Sequence, residues 1–306
     1  PPSGELGRRA GWAPLPLTVR DARRKAPTLK ERLGAAPAHL EHTGQRGSPA
    51  VPTVQAARLV VARGRSPVLR EVDLSLNAGT VTALMGRNGS GKSTLLWALQ
   101  GRHRVAGGTL EVLGSAPAER TPEGRRATTG LVPQSPADLL YLETVDAECD
   151  AADADAEKGR GNCRKILDQL APGIDGSTHP RDLSEGQRLA LAVAIVLTTG
   201  PPVLLLDEPT RGLDYPAKQA LAGILRDLAT EPDTERTVLV ATHDVEFVAQ
   251  VADEVIVLAD GEIVSAGPVV RAVSESPAFA PQVTKILGPG WLRVSEVATA
   301  LASRSQ

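Results

Sequence analysis

Aromatic side chains are scarce: Trp, Tyr and Phe together make up 2% of the 306 residues. A core built with so few rings has to rely on Leu, Val, Ile and Ala. Two cysteines occur, Cys149 and Cys163, with no C-x-x-C spacing and no companion histidines. That argues against structural zinc and excludes a disulfide scaffold in a chain this long. Both read as small apolar or half-exposed residues of a reducing compartment. The longest clean apolar run, Leu189–Leu197, is half of what a membrane span requires, and no secretory signal pattern is read. Charge of one sign is missing too. A net charge of −2 gives no overall pull toward nucleic acid or acidic lipid. Lys is rare beside Ala, Arg, Gly and Pro, a bias of GC-rich coding. The single Met is Met85, and the chain starts Pro-Pro, so it reads as a fragment or a processed piece. What remains is ordinary for a globular protein: 42% apolar and 23% charged residues, with length for one large domain or two modest ones.

The first fifty or so residues are Pro- and Arg-rich, with a short helix expected near Val19–Arg32. Arg8, Arg9, Arg20, Arg23, Arg24, Lys25, Lys30 and Arg32 make the stretch basic, and it reads as a linker or tail. From about Val54 the pattern changes. Ala57–Ala62, Val72–Leu76 and Thr80–Met85 read as strands, followed by a helix from Lys92 to about Gly101 and strands at Thr109–Leu113 and Thr129–Val132. Leu139 to about Leu170 concentrates acids (Glu143, Asp146, Glu148, Asp150, Asp153, Asp155, Glu157) and reads as a solvated helical face or surface loop. Helices at Ser184–Leu197, Asp214–Ala229 and Val245–Val251 alternate with apolar strands at Val203–Leu206 and Thr237–Ala241. Strands Glu254–Ala259 and Glu262–Ser265 pair around an Asp260-Gly261 turn. This alternation implies an α/β fold: a mainly parallel sheet covered by helices on both faces, with a smaller antiparallel β layer.

The strongest chemical signal is Gly86-Arg87-Asn88-Gly89-Ser90-Gly91-Lys92-Ser93-Thr94, which fits G-x-x-x-x-G-K-[ST] between a strand and a helix. Its glycines let backbone N–H groups wrap phosphate, the helix N-terminus and Lys92 supply positive charge, and the Ser93 hydroxyl can ligate Mg²⁺. A chance match in such a chain is about a one-per-cent event on background composition. The second signal is Val203–Leu206 followed by Asp207-Glu208, a buried strand delivering two carboxylates to the sheet edge where ligands of such folds bind. Asp207 is suited to the Mg²⁺ shell and Glu208 to activating water, although acids after an apolar run are often no more than a solvated strand end. Ser184 and Gln187 form a capping box at a helix start. Gln134 after a strand and His243 after another are, taken singly, a surface glutamine and a structural histidine.

Taken in order, the phosphate loop, Gln134, Leu183-Ser184-Glu185-Gly186-Gln187, Asp207-Glu208, Gly212-Leu213-Asp214 and His243 resemble the motif series of ABC ATPases. The resemblance runs from roughly Val54 to Gly267 and implies a P-loop ATPase fold with a helical subdomain. In that family two domains pair head to tail around two ATP molecules. It implies that Ser184, the Gly186 backbone and Gln187 serve ATP held by the partner. Gln134 would complete the Mg²⁺ shell and sense the membrane partner, while Glu208 polarises water that His243 positions. Asp214 would lie at the dimer seam. Two departures stand out. Glu185 occupies a usual glycine position, and Val60-Val61-Ala62-Arg63-Gly64 lacks the adenine-stacking aromatic the family often has, leaving Arg63 to stack on the base.

Asp207 to Tyr215 and the tail Ala278-Phe279-Ala280-Pro281-Gln282 with Gly290-Trp291-Leu292 further resemble the ATPase subunits of energy-coupling factor transporters, importers of vitamins and metal ions. That resemblance implies two partners beyond a second ATPase domain: a transmembrane coupling protein and a substrate-capturing membrane protein. Peripheral placement on the cytoplasmic face of the membrane follows, with no nucleic acid partner expected. Gly11-Trp12 with Leu17-Thr18-Val19-Arg20-Asp21 echoes Gly290-Trp291 with Leu292-Arg293-Val294-Ser295-Glu296. The echo suggests the second half of a tandem ATPase. The expected division is 1–53 as linker and tail of a preceding half, 54–267 as ATPase domain with a helical subdomain at about 139–198, and 268–306 as a C-terminal extension. Two rivals stand beside it. One is a soluble ABC ATPase acting on nucleic acid or ribosomes, favoured by the basic Arg8–Arg32 stretch. The other is a non-catalytic half, opposed by Lys92, Asp207, Glu208 and His243.

Overall fold

The computed structural model describes residues 2–34, 36, 52–64, 66–157, 159–232, 234–275 and 280–303. The expected tail residues Ala278 and Phe279 fall outside them. The chain forms two compact units, one holding the described residues of 49–243 and 256–265, the other those of 1–48, 244–255 and 266–306.

In the second unit both chain ends are helical. α1 (Pro2–Ala10) and α2 (Val19–Leu33) come from the start of the chain. The sequence pattern points to α2 but not to α1, whose run PSGELGRRA holds Pro2, Gly4 and Gly7. Packing overrides this weak propensity: Leu6 and Ala10 are buried in a shared core with Ala22, Leu29, Val283 and Trp291.

In the first unit, a three-stranded sheet is ordered β2-β1-β4, with the central β1 (Val54–Arg63) antiparallel to both β2 (Ser66–Leu76) and β4 (Gly107–Val112). The six-stranded sheet is ordered β5-β6-β7-β3-β8-β9. Its strands are β3 (Val81–Met85), β5 (Thr129–Val132), β6 (Val203–Asp207), β7 (Thr237–Ala241), β8 (Glu254–Ala259) and β9 (Glu262–Pro268). The β5–β6, β6–β7 and β7–β3 pairs are parallel. Every residue of β3, β6 and β7 is buried, as expected where helices cover both faces. Full burial of each leucine in Leu204–Leu206 contributes roughly 2 kcal/mol. At the β8–β9 turn, Asp260 and Gly261 have φ of 49° and 84°, the geometry of a two-residue hairpin.

The helices of this unit are α3 (Lys92–Leu99), α4 (Pro122–Thr128), α5 (Val145–Asp155), α6 (Asn162–Leu170), α7 (Glu185–Thr198) and α8 (Tyr215–Thr230). α5, α6 and α7 share a core of Val145, Cys149, Cys163, Leu167, Leu191 and Ala194. The acidic stretch expected to be solvated is only partly so. Asp153 is 1% exposed and accepts from the N–H groups of Gly161, Asn162 and Cys163 at 2.7, 3.1 and 2.8 Å. It caps α6, whose N-cap Gly161 has no side chain to do so. Glu148, also buried, accepts from the N–H groups of Tyr141 and Leu142.

The second unit is completed by α9 (Val245–Val251), α10 (Val269–Glu275), α11 (Gln282–Leu287) and α12 (Val294–Ser303). Within it, Gly11 and Gly290 both carry positive φ, 72° and 89°.

Candidate functional site

Register collects the predicted residues at the carboxyl edge of the six-stranded sheet. Leu84 of β3 and Asp207 of β6 both pair with Ala241 of β7, and Val132 of β5 pairs with Leu206. The residues that follow these strands therefore emerge side by side: the phosphate loop after β3, His243 after β7, Glu208 after β6 and Gln134 after β5. Backbone bonds lock the edge. Glu208 N–H donates to the Ala241 carbonyl at 2.8 Å, and Thr242 N–H to the Leu84 carbonyl at 3.0 Å.

The loop needs glycine at Gly86 because a Cβ there would sit 2.3 Å from the Leu258 carbonyl oxygen. Gly91, with φ of 107°, is the N-cap of α3 and offers no side chain to its N–H groups. An uncapped helix start of this kind is an anion site. Lys92 is buried; its Nζ donates to the Gly86 carbonyl at 2.9 Å and lies 3.7 Å from Glu208 Oε1.

Glu208 has φ of 48°, a left-handed conformation that costs on the order of 1–3 kcal/mol in a non-glycine residue. Strain there turns the carboxylate from the strand end into the edge. Glu208 Oε2 and His243 Nδ1 are 2.8 Å apart, with Glu208 buried and the His243 side chain 73% exposed. Sequence gives no sign of this backbone strain or of the Lys92–Glu208 approach, since both depend on neighbouring strand ends.

Ser90 Oγ, Asp207 Oδ1 and Glu208 Oε1 are buried without a hydrogen-bond partner. Burial and the neighbouring Glu208 charge raise the Asp207 pKa above its usual value, opposed by the Ser93 hydroxyl, which hydrogen-bonds it, and by Lys92. A divalent ion would relieve that cost. Ser93 and Asp207 supply hard oxygens at one point, a donor set that fits Mg²⁺ completed by phosphate and water. Among the described residues no group of three His, Cys, Asp or Glu could hold a metal.

Ser184, Gly186 and Gln187 sit at the start of α7, on a different element from the loop. The capping box forms as expected: Ser184 Oγ accepts from Gln187 N–H at 3.3 Å and Gln187 Oε1 from Ser184 N–H at 3.0 Å. Glu185, the unusual acid, pairs with Arg188 at 2.7 Å. Arg188 also donates to the carbonyls of Pro180, Arg181 and Leu183, fastening the turn to its helix. Gln134 is exposed past β5, and Arg63 is exposed at the end of β1.

A family model described as ABC transporter matches residues 69–211. The nickel import ATP-binding protein NikO of Rhodobacter capsulatus is 34% identical over 220 residues, covering 69% of this chain and 87% of that protein. The chain belongs to the ATP-binding family of ABC transporters. A putative ABC transporter ATP-binding protein of Streptomyces avermitilis is 51% identical over 99% of this chain, yet the chain spans 58% of that relative's length. The solved structure of cbiO1 from Clostridium perfringens, described as part of the ABC transporter complex cbiONQ, superposes with a TM-score of 0.62 at 27% identity. The match covers 73% of this chain and 91% of that chain. The fold is thus the ABC-type P-loop ATPase fold.

Proposed function

We propose that this domain binds ATP with Mg²⁺ and hydrolyses it to drive a membrane importer of vitamins or metal ions of the energy-coupling factor type. The observation that carries the hydrolysis is Glu208: buried, held 2.8 Å from His243 and 3.7 Å from Lys92 beside an uncapped helix start. The N–H groups of Gly86 to Thr94 and the α3 terminus hold the β- and γ-phosphates. Lys92 turns from the Gly86 carbonyl and Glu208 to the phosphate oxygens. Mg²⁺, when bound by Ser93, Asp207 and Gln134, neutralises charge on the phosphates. Freed of Lys92, Glu208 accepts a proton from the attacking water, and His243 positions that water. Ser184, the Gly186 backbone and Gln187 serve ATP held on a second ABC domain.

Three further parts of the reading have separate support. Import of metal ions is supported by the name of the nickel import protein NikO, and work within a transporter complex by the description of cbiO1 as part of cbiONQ. A tandem arrangement, with the partner ATPase domain fused upstream, is supported by the Gly-Trp echo at the two chain ends and by the greater length of the Streptomyces relative. The division at 53/54 and 267/268 belongs to that reading. The membrane partners would be a coupling protein and a substrate-capturing protein, with the ATPase peripheral on the cytoplasmic face. Among the described residues no helix is long and apolar enough to cross a membrane. Co-purification of the tagged protein from native cells tests this: an integral membrane protein should be recovered with it. Recovery of ribosomes or DNA in its place overturns the transport reading.

A further inference from the structure

The segments at the two chain ends are related in structure as well as sequence. α1 and α11 each lead to a Gly-Trp pair, with both glycines at positive φ, and each pair is followed by Leu-x-Val-x-acid opening α2 or α12. Leu17, Val19, Asp21 and Ala22 thereby match Leu292, Val294, Glu296 and Val297. Ala22 and Val297 are both fully buried, and both belong to the shared helical core. Three matched positions break the likeness: Trp12 and Val19 are only partly buried where Trp291 and Val294 are buried, and the third differs most. Leu292 is 4% exposed, whereas Leu17 is 88% exposed.

The reason lies in what each copy rests on. The Leu292 segment is seated on α9: Arg293 Nε donates to the Ala249 carbonyl at 2.7 Å, and Gln282 N–H donates to Glu246 Oε1 at 2.6 Å. These bonds tie both ends of the C-terminal copy to a helix of the same ATPase. No counterpart of α9 lies against Leu17 among the described residues. The basic residues beside it on α2, Arg20 and Arg24, are exposed as well, a suitable match for the carbonyl end of a helix.

We propose that the Leu17 edge is a docking surface for the α9 counterpart of a second ATPase domain that precedes this one in the same polypeptide. The inference rests on the tandem reading above. The α1–α2 pair would then be that domain's own tail, clasped to the tail of this one, so that the joined tails hold the two ATPase halves near each other through every cycle. Equivalent sequence predicts equivalent burial, and three neighbouring positions, Trp12, Leu17 and Val19, all less covered than their matches Trp291, Leu292 and Val294, mark the missing neighbour.

The test compares Leu17→Cys in the 306-residue chain with the same substitution in the polypeptide read from its native start codon. Maleimide labelling is timed in each, with the exposed Val264→Cys as reference; Cys149 and Cys163 are buried and contribute a slow background. Bound ATP per chain is counted in parallel by equilibrium dialysis. Labelling of Leu17→Cys should match the reference in the shorter chain and slow about tenfold or more in the longer one, through loss of access. Two nucleotides per long chain with undiminished labelling overturn the docking while leaving the tandem reading standing. One nucleotide per long chain overturns both.

Discussion

The helices α3 and α7 begin in opposite ways. α3 opens on Gly91 with no side-chain cap, beside a buried, partnerless Ser90 hydroxyl and the buried Lys92. α7 opens on a complete capping box, and its extra acid is neutralised by Arg188. A helix start leaves several N–H groups unsatisfied. At α3 they are left for a ligand; at α7 part of the demand is met within the chain. The helix start that the proposed function assigns to phosphate is thus the open one. The other is a finished, self-supporting edge that can be presented to a neighbour.

The sharpest way to probe the contrast is Glu208→Gln, which keeps the α3 site but removes its base. ATP binding should persist while turnover falls about 10²–10⁴-fold, the usual reach of general-base catalysis. Full turnover in that variant removes Glu208 from its role. Next comes Lys92→Ala, read by titration with a fluorescent nucleotide. Losing charge-assisted hydrogen bonds of about 1.5–3 kcal/mol should weaken binding roughly 10–10²-fold. Unchanged affinity there would mean the open helix start alone holds the phosphates.

At the other terminus, Ser184→Ala deletes a cap and should cost about 1 kcal/mol in a denaturant melt, with nucleotide affinity of the isolated domain unchanged. A tenfold loss of that affinity would show both helix starts acting on one nucleotide and end the contrast. The smallest effect belongs to Glu185→Gln. It breaks an exposed pair one turn apart on α7, worth at most about 0.5 kcal/mol, and neither melting nor nucleotide binding should move measurably.

Much of this was legible beforehand. Thr129–Val132 and Thr237–Ala241 lie where their apolar runs place them, because a strand buried on both faces leaves little freedom in composition. The Ser184 cap was legible for a local reason, its partner being three residues away. Other features escaped. α1 is a poor helix by propensity and forms against residues nearly three hundred positions later in the chain. Asp153 reads as one more surface acid, yet it is buried because α6 begins on a glycine and borrows a cap from the preceding helix.

By itself the sequence determined the α/β class, the phosphate loop and the order of the motifs. Each depends on residue type and short spacing: glycine where backbone must approach phosphate, lysine at a helix start, acids after an apolar strand. Tertiary structure alone decided which of these residues meet. Parallel register through Ala241 brings Asp207, Glu208 and His243 to the loop from strands far apart in sequence. It also sets Glu208 in a left-handed conformation between Lys92 and His243, and leaves Leu17 in solvent while its match Leu292 is covered. Burial and strain are properties of the neighbours a residue acquires on folding, and no window of sequence contains them.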